Sequence, residues 1–318
     1  MIAKKRILIL GGLGFIGRNL FNALRTDGHE ITILTDQLHE DHAPDEVTRK
    51  MTVIGSILDK SYIERIVEGY DVIYSLAGSS GAADSVKNPY HDLDNNLKGH
   101  LNILEACRKN NPNALLIFPS SRLVYGKPQS SLVDERHPIQ PESIYAIHKL
   151  TTEHYYLLYQ RLYGIKSIIL RISNPYGPYQ RFGSNNYGIL NWFIHKAVVG
   201  QPITLYGDGS QKRDFIFIDD VVSLLNKCIT ADSMIGKVYN VGLGRGISLR
   251  DAVNVIRNFI PATTVEFQDW PAIDKMIETG DYISDIRSLE KDTGWKPSVM
   301  FEDGVKKTID FYVSHAKR

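Results

Sequence analysis

Apolar residues along this chain fall into short runs separated by stretches with helical spacing. Ile7-Leu8-Ile9-Leu10 follows Arg6 and predicts a buried strand over 6–10. From Arg18 to Thr26, Leu20 and Leu24 share one face, which predicts a helix. Ile31, Ile33 and Leu34 mark a second strand over 30–34. Further strands are predicted at 51–54, 71–76, 114–118 and 166–171, with helices near 60–68, 89–110 and 143–163. Strand and helix in alternation predict an α/β protein, a doubly wound parallel sheet with helices on both faces. In such a sheet, ligands bind outside the carboxyl ends of the strands.

After residue 173 the pattern changes. Asn174-Pro175-Tyr176-Gly177-Pro178 is a turn cluster, and Phe182 to Tyr187 is rich in Gly, Ser and Asn. A helix near 188–199 follows, then a strand from Pro202 to Tyr206. Arg213 to Val221 reads as a strand running into a helix. The expected organisation is a dinucleotide-binding domain over 1–173 and a smaller C-terminal α/β lobe over 174–318. Segments near 214–243 are expected to return to the first domain, and the lobe to close over a substrate.

Between the first strand and the first helix stands Gly11-Gly12-Leu13-Gly14-Phe15-Ile16-Gly17. In a strand–turn–helix context, these glycines suit a Rossmann-type dinucleotide site. Gly11 permits the tight turn, Gly14 lets backbone approach a pyrophosphate, and Gly17 lets helix pack close on strand. Phe15 and Ile16 then offer free N–H groups to the phosphates. Leu76-Ala77-Gly78 ends another strand with small residues that would admit a cofactor close to backbone. An acidic residue after the second strand would bind the adenosine ribose and repel a 2′-phosphate. Thr35 takes the first place after the predicted strand and Asp36 the second. The expectation is NAD, held through Asp36; Arg49 and Lys50 are the nearby bases that could instead admit NADP.

Tyr145 and Lys149 are the only tyrosine–lysine pair in the chain with this spacing. Four residues apart on a helix, their side chains start roughly 5–6 Å from each other. An ammonium beside a phenol favours phenolate, so Tyr145 could act as a base near neutral pH. Ser121, at the end of a predicted strand, would lie at the same sheet edge; a serine there also caps turns. His148, between the pair, reads as an exposed filler.

The 37 basic and 36 acidic residues leave a net charge of +1, which argues against a nucleic-acid surface. No stretch approaches membrane-spanning length, and no Cys/His cluster has metal-ligand spacing. Cys107 and Cys228 read as buried thiols of a reducing compartment, so a cytoplasmic location is expected. Met1 to Leu10 has a basic start like a leader peptide, but the apolar run is too short and reads as the first strand.

Taken in order, Gly11-x-x-Gly14-x-x-Gly17, Ser121, Tyr145-x-x-x-Lys149, Asn174-Pro175-Tyr176-Gly177-Pro178 and Arg213-Asp214-Phe215-Ile216 resemble the extended short-chain dehydrogenase/reductases. The likeness is to the nucleotide-sugar epimerases and dehydratases, and within them to the UDP-glucose 4-epimerase branch. It implies Tyr145 as base, Lys149 on the nicotinamide ribose, and Ser121 on the reacting oxygen. It implies a nucleotide-diphosphate sugar as substrate, most readily a UDP-sugar, with Asn174 at the diphosphate or sugar. Arg213 is either a phosphate ligand, as the resemblance implies, or a surface strand residue paired with Asp214. Lys275 falls where the branch places a second phosphate-binding cation, and Tyr282 where the sugar pocket is lined. Family dehydratases carry Asp-Glu before Val-Tyr-Gly, and sugar-acid decarboxylases keep the glutamate; this chain has Arg122-Leu123. The resemblance therefore favours 4-epimerisation through a keto intermediate. An NADPH-dependent 4-ketoreductase and a non-catalytic dinucleotide-binding protein are the alternatives. A homodimer is expected through helices 89–110 and 143–163, whose apolar faces carry Leu101, Leu104, Leu150, Leu157 and Leu158.

Overall fold

The computed structural model describes residues 3–38, 45–180 and 188–316. The Gly/Ser/Asn-rich stretch Phe182 to Tyr187 lies outside the described residues. Seven parallel strands form the main sheet: β1 (Arg6–Leu10), β2 (Glu30–Thr35), β3 (Thr52–Ile54), β4 (Val72–Ser75), β5 (Leu115–Ser121), β6 (Ser167–Ile172) and β7 (Val238–Val241). Their order is β3-β2-β1-β4-β5-β6-β7. Alternate residues of β1 enter opposite core layers: Ile7 and Ile9 on one side, Leu8 and Leu10 on the other. A strand buried on both faces reads as a continuous apolar run, as this one does. The seventh strand comes from the second half of the chain, so the sheet is not confined to residues 1–173.

Strand lengths shift two positions that matter. Thr35 pairs with Ile54 of β3 and remains inside β2, so Asp36 is the first residue past the strand. β5 runs on to Ser121, which pairs with Ile172. The first helix starts at Phe15, directly after the glycine turn and three residues earlier than predicted. The predicted helix 89–110 is three pieces: Pro89–Leu93, a π-helical turn Asp94–Lys98, and Gly99–Asn110. The C-terminal part adds small sheets, in which Asn174–Tyr176 lies beside Lys212–Phe217 and Leu132–Val133 beside Ile283–Ser284.

The Ile144–Tyr163 helix is capped by Ser143, whose side chain accepts from Ala146 N–H. Its inner face carries Lys149, Thr152 and Glu153, all buried. Glu153 is held by Arg171 of β6, with Nη2 at 2.6 Å from Oε2 and Nε at 3.0 and 3.1 Å from the two oxygens. The Ser120 hydroxyl also donates to Glu153. Arg171 reaches on to the Tyr125 hydroxyl at 2.9 Å, and that hydroxyl donates to Asn240 at 2.7 Å. One ionic network thus joins the helix to β5, β6 and β7.

Four of the five leucines named for a dimer interface touch the core of their own chain. Leu104 is fully buried, Leu101 and Leu157 pack on the same core, and Leu150 packs on Val124, Tyr125, Val133 and Tyr282. The exposed positions of the Ile144–Tyr163 helix are Ile147, His154, Arg161, Leu162 and Tyr163.

Removing one partner of a buried ion pair leaves the other uncompensated, at about 3–5 kcal/mol. Glu153→Ala is therefore expected to destabilise folding by about that amount in urea denaturation. A loss under ~1 kcal/mol would show that the network does not hold the helix.

Candidate active site

The glycine turn, the β2 end and the loop after β4 enclose a cleft of about 440 Å³. Gly11, Gly14, Asp36, Leu76, Ala77 and Gly78 all line it. Gly11 has φ +79°, and a Cβ there would lie 2.7 Å from Ala77 backbone atoms. At Gly17 a Cβ would lie 2.5 Å from the Gly11 carbonyl oxygen. Those two glycines are demanded by the chain's own packing. Gly14 is different: its nearest backbone neighbour would be 3.2 Å away, and it faces the cleft. It keeps space for a ligand. Gly14 caps the helix, so Phe15 and Ile16 supply N–H groups of its first turn while their side chains pack on the core. Under the Leu76–Gly78 loop, the buried Asn96 Oδ1 has no hydrogen-bond partner. A glycine cradle, helix N–H groups and a rim carboxylate fit a dinucleotide.

Ser121 and Tyr145 are brought together: the Ser121 hydroxyl stands close enough to the Tyr145 phenol to favour its ionised form. The Ser121 hydroxyl also accepts from Leu123 N–H at 3.2 Å, so it caps the turn as well. Burial pushes the Tyr145 phenol up to about 12; the nearby Ser121 hydroxyl opposes this and the Asp92 charge adds to it. Lys149 donates to the Pro119 carbonyl at 2.7 Å, with its nitrogen 4.2 Å from the Phe118 ring centre. Burial drives its amine down to about 7, partly offset by the charges of Glu153 and Asp92. The expected lowering of the phenol by Lys149 is therefore not seen among the protein's own groups. The ammonium is drawn to a carbonyl, and desolvation of the phenol dominates.

His148 is no exposed filler. Its Nδ1 lies 2.6 Å from the buried Asp92 carboxylate, whose second oxygen accepts from Ser79 and Asn96, each at 2.9 Å. Asn96 in turn accepts at its carbonyl from Thr152 at 2.6 Å. This cluster ties the Ile144–Tyr163 helix to the loop after β4. The available signal was the polar Asp92-Leu93-Asp94-Asn95-Asn96 stretch inside a helix that had to pack on a sheet.

The expected substrate residues are more dispersed. Asn174 donates to the Asp214 carbonyl at 3.1 Å. Asp214 is buried, and its carboxylate accepts from the N–H groups of Leu243, Gly244 and Ser284 at 2.8, 3.2 and 2.8 Å. Burial still raises it to about 6. Arg213 is neither on the surface nor paired with Asp214. It is buried, and its Nη2 contacts both Glu278 oxygens at 2.6 and 2.7 Å. Lys275 is exposed on the wall of a second cavity, about 550 Å³, beside Trp270, Glu278 and Thr279. Tyr282 lines neither cavity; it is fully buried, stacked on Tyr125 with ring centres 6.1 Å apart. Arg122 covers it, 5.3 Å from the ring centre. Among the described residues, no group of three His, Cys, Asp or Glu is placed to hold a metal, and no helix is long and apolar enough to cross a membrane.

Comparison with known proteins gives the same reading. A Methanocaldococcus jannaschii protein, provisionally assigned as a UDP-glucose 4-epimerase, is 33% identical over 306 residues, covering 96% of this chain and 97% of its own. The Thermus thermophilus UDP-glucose 4-epimerase, solved in complex with NAD, superposes with a TM-score of 0.86 at 29% identity, covering 96% of this chain and 98% of that one. The Thermotoga maritima UDP-glucose 4-epimerase, solved with UDP-glucose, gives 0.89 at 27% identity, covering 98% and 99%. The family model for the NAD-dependent epimerases and dehydratases matches residues 7–242, more than half of the chain and every strand of the main sheet. On that match, this chain belongs to the NAD-dependent epimerase/dehydratase family.

Proposed function

We propose that this protein epimerises a nucleotide-diphosphate sugar at carbon 4, with a UDP-sugar as the foremost substrate. The observation that carries the reading is the Ser121 hydroxyl at the end of β5 standing beside the Tyr145 phenol, with Lys149 one helical turn on. NAD, held by the Gly11–Gly17 turn, Asp36 and Leu76–Gly78, would supply a reversible hydride acceptor for the sugar.

The chain's own groups handle the proton. Ser121 and Tyr145 present two hydroxyls to one sugar oxygen, and Tyr145 takes its proton as the carbon is oxidised. Lys149 is the cation available to stabilise the phenolate. Tyr145 then returns the proton when the carbonyl is reduced on its other face. Elimination or decarboxylation would need a further acid or base beside this pair. Leu123 has none, and Arg122 stays charged and is a poor acid. The ketoreductase alternative rested on an acidic residue being out of register after β2. With Thr35 inside the strand, Asp36 is the first residue past β2, which supports its contact with the ribose and disfavours the NADPH-dependent reading.

Tyr145→Phe keeps the ring and removes the proton carrier. Turnover is expected to fall about 10²–10⁴-fold, with NAD affinity within about twofold of wild type by titration. Near wild-type turnover would exclude Tyr145 as the base. For Asp36, direct titration is expected to show NADH binding more tightly than NADPH, and Asp36→Ala narrowing the difference. An unchanged difference would move cofactor choice to another residue.

A further inference from the structure

The interrupted helix over 89–110 meets the Ile144–Tyr163 helix through a row of polar pairs. Asp92 faces His148, the Asn96 carbonyl accepts from Thr152, and His100 Nδ1 lies 3.4 Å from the Tyr156 hydroxyl. Each pair is 56 residues apart in sequence, so the two helices run the same way in one register. The same row holds the loop after β4. Asn96 Nδ2 donates to the Ser79 hydroxyl and carbonyl oxygens at 2.8 and 3.1 Å. His100 Nε2 lies 3.1 Å from the Ala77 carbonyl and donates to it, because a carbonyl only accepts. Burial takes His100 down to about 3, so it holds that carbonyl as a neutral ring.

Asp92–His148 is the pair in this row that contains a carboxylate, and both oxygens are satisfied. A carboxylate only accepts, so His148 Nδ1 carries the hydrogen and donates to Oδ1 at 2.6 Å. Oδ2 takes the Ser79 hydroxyl and the Asn96 amide, each at 2.9 Å. The Asp92 side chain is 3% exposed and that of His148 13%. Burying a carboxylate so completely is costly unless its partners are in place.

The pair also sits between two working parts of the molecule. His148 follows Tyr145 by three residues and immediately precedes Lys149, so Asp92 grips the helical turn that presents both. Burial is the larger influence on those two groups, but the charge of Asp92 reaches each of them, opposing the phenolate and favouring the ammonium. On its other oxygen Asp92 holds Ser79, which lines the 440 Å³ cleft. A second tie, from Tyr145 N–H to the Ser85 hydroxyl at 3.0 Å, fixes the start of the helix against the same stretch of chain.

We propose that Asp92 and His148 are positioning residues for the reaction: their link fixes the Ser79 wall of the dinucleotide cleft against the helical turn that carries Tyr145 and Lys149. The proposal rests on the nucleotide-sugar reading above. Rate is the quantity such a link controls, since a misplacement of about 1 Å can cost about 10²-fold in turnover.

Two readouts on the full chain test this: turnover of UDP-glucose with NAD bound, and the emission of bound NADH, which needs no sugar. His148→Ala is expected to lower kcat about 10–100-fold, with KM for UDP-glucose and the NADH dissociation constant within about twofold of wild type. The emission of bound NADH is expected to fall toward that of free NADH. His148→Asn keeps a neutral N–H donor near the place of Nδ1; it is expected to bring kcat back to within about threefold of wild type and to restore the emission. Should His148→Ala fold poorly, combining it with Asp92→Asn removes the uncompensated charge, and the same losses are expected. Wild-type kcat or wild-type emission in the folded variant, a loss carried by KM, or a His148→Asn no better than His148→Ala overturns the proposal. If wild type turns over no UDP-glucose, the substrate reading falls for that sugar, and the NADH emission alone decides whether the link positions the cleft.

Discussion

A carboxylate buried between a helix and a sheet carries the organisation of this molecule. Glu153 receives two nitrogens of Arg171 and the hydroxyl of Ser120, with both ionic side chains almost wholly out of solvent. Such a pair is held only when its geometry is complete, since desolvating two charges is expensive. The consequence is positional. Tyr145, Lys149 and Glu153 follow one another at successive turns of a single helix, so fixing the last fixes the other two. Ser120, on the same network, immediately precedes Ser121 on β5. The hydroxyls of Ser121 and Tyr145 are therefore both positioned from one ionic contact lying behind them.

That contact also shapes the electrostatics. Glu153 and Asp92 both favour the charged form of Lys149, yet burial wins and takes the amine down to about 7. Burial likewise takes Tyr145 up to about 12. Both groups are thus inclined toward neutrality by the protein alone. Moving a proton through Tyr145 then depends on the charges that occupy the neighbouring cleft, which couples ionisation to occupancy.

Much of this was legible along the chain. The glycine turn between an apolar strand and a helix is local, so spacing alone located the cleft. Tyr145 and Lys149 are also local, one turn apart on one helix. What could not be read depended on partners distant in sequence. β2 ends at Thr35 because Ile54 pairs with it, and that pairing decides where Asp36 stands. His148 looked expendable because its partner, Asp92, is 56 residues away. Arg213 finds Glu278 65 residues on, in a turn with no pattern of its own. The helix expected over 89–110 is interrupted by a π-turn, the kind of irregularity that clusters at functional sites and that hydrophobic spacing does not register.

The central claim is that the chain moves only a hydroxyl proton, through Tyr145, while the hydrogen on sugar carbon 4 stays within the site. UDP-glucose carrying deuterium at carbon 4 tests that most directly, with the product analysed by NMR and mass spectrometry. The expected result is the carbon-4 epimer with deuterium still attached to carbon 4, at full retention in ordinary water. Deuterium lost to solvent would mean epimerisation by proton abstraction from carbon, contradicting the assignment of Tyr145 and of the glycine cleft beside it.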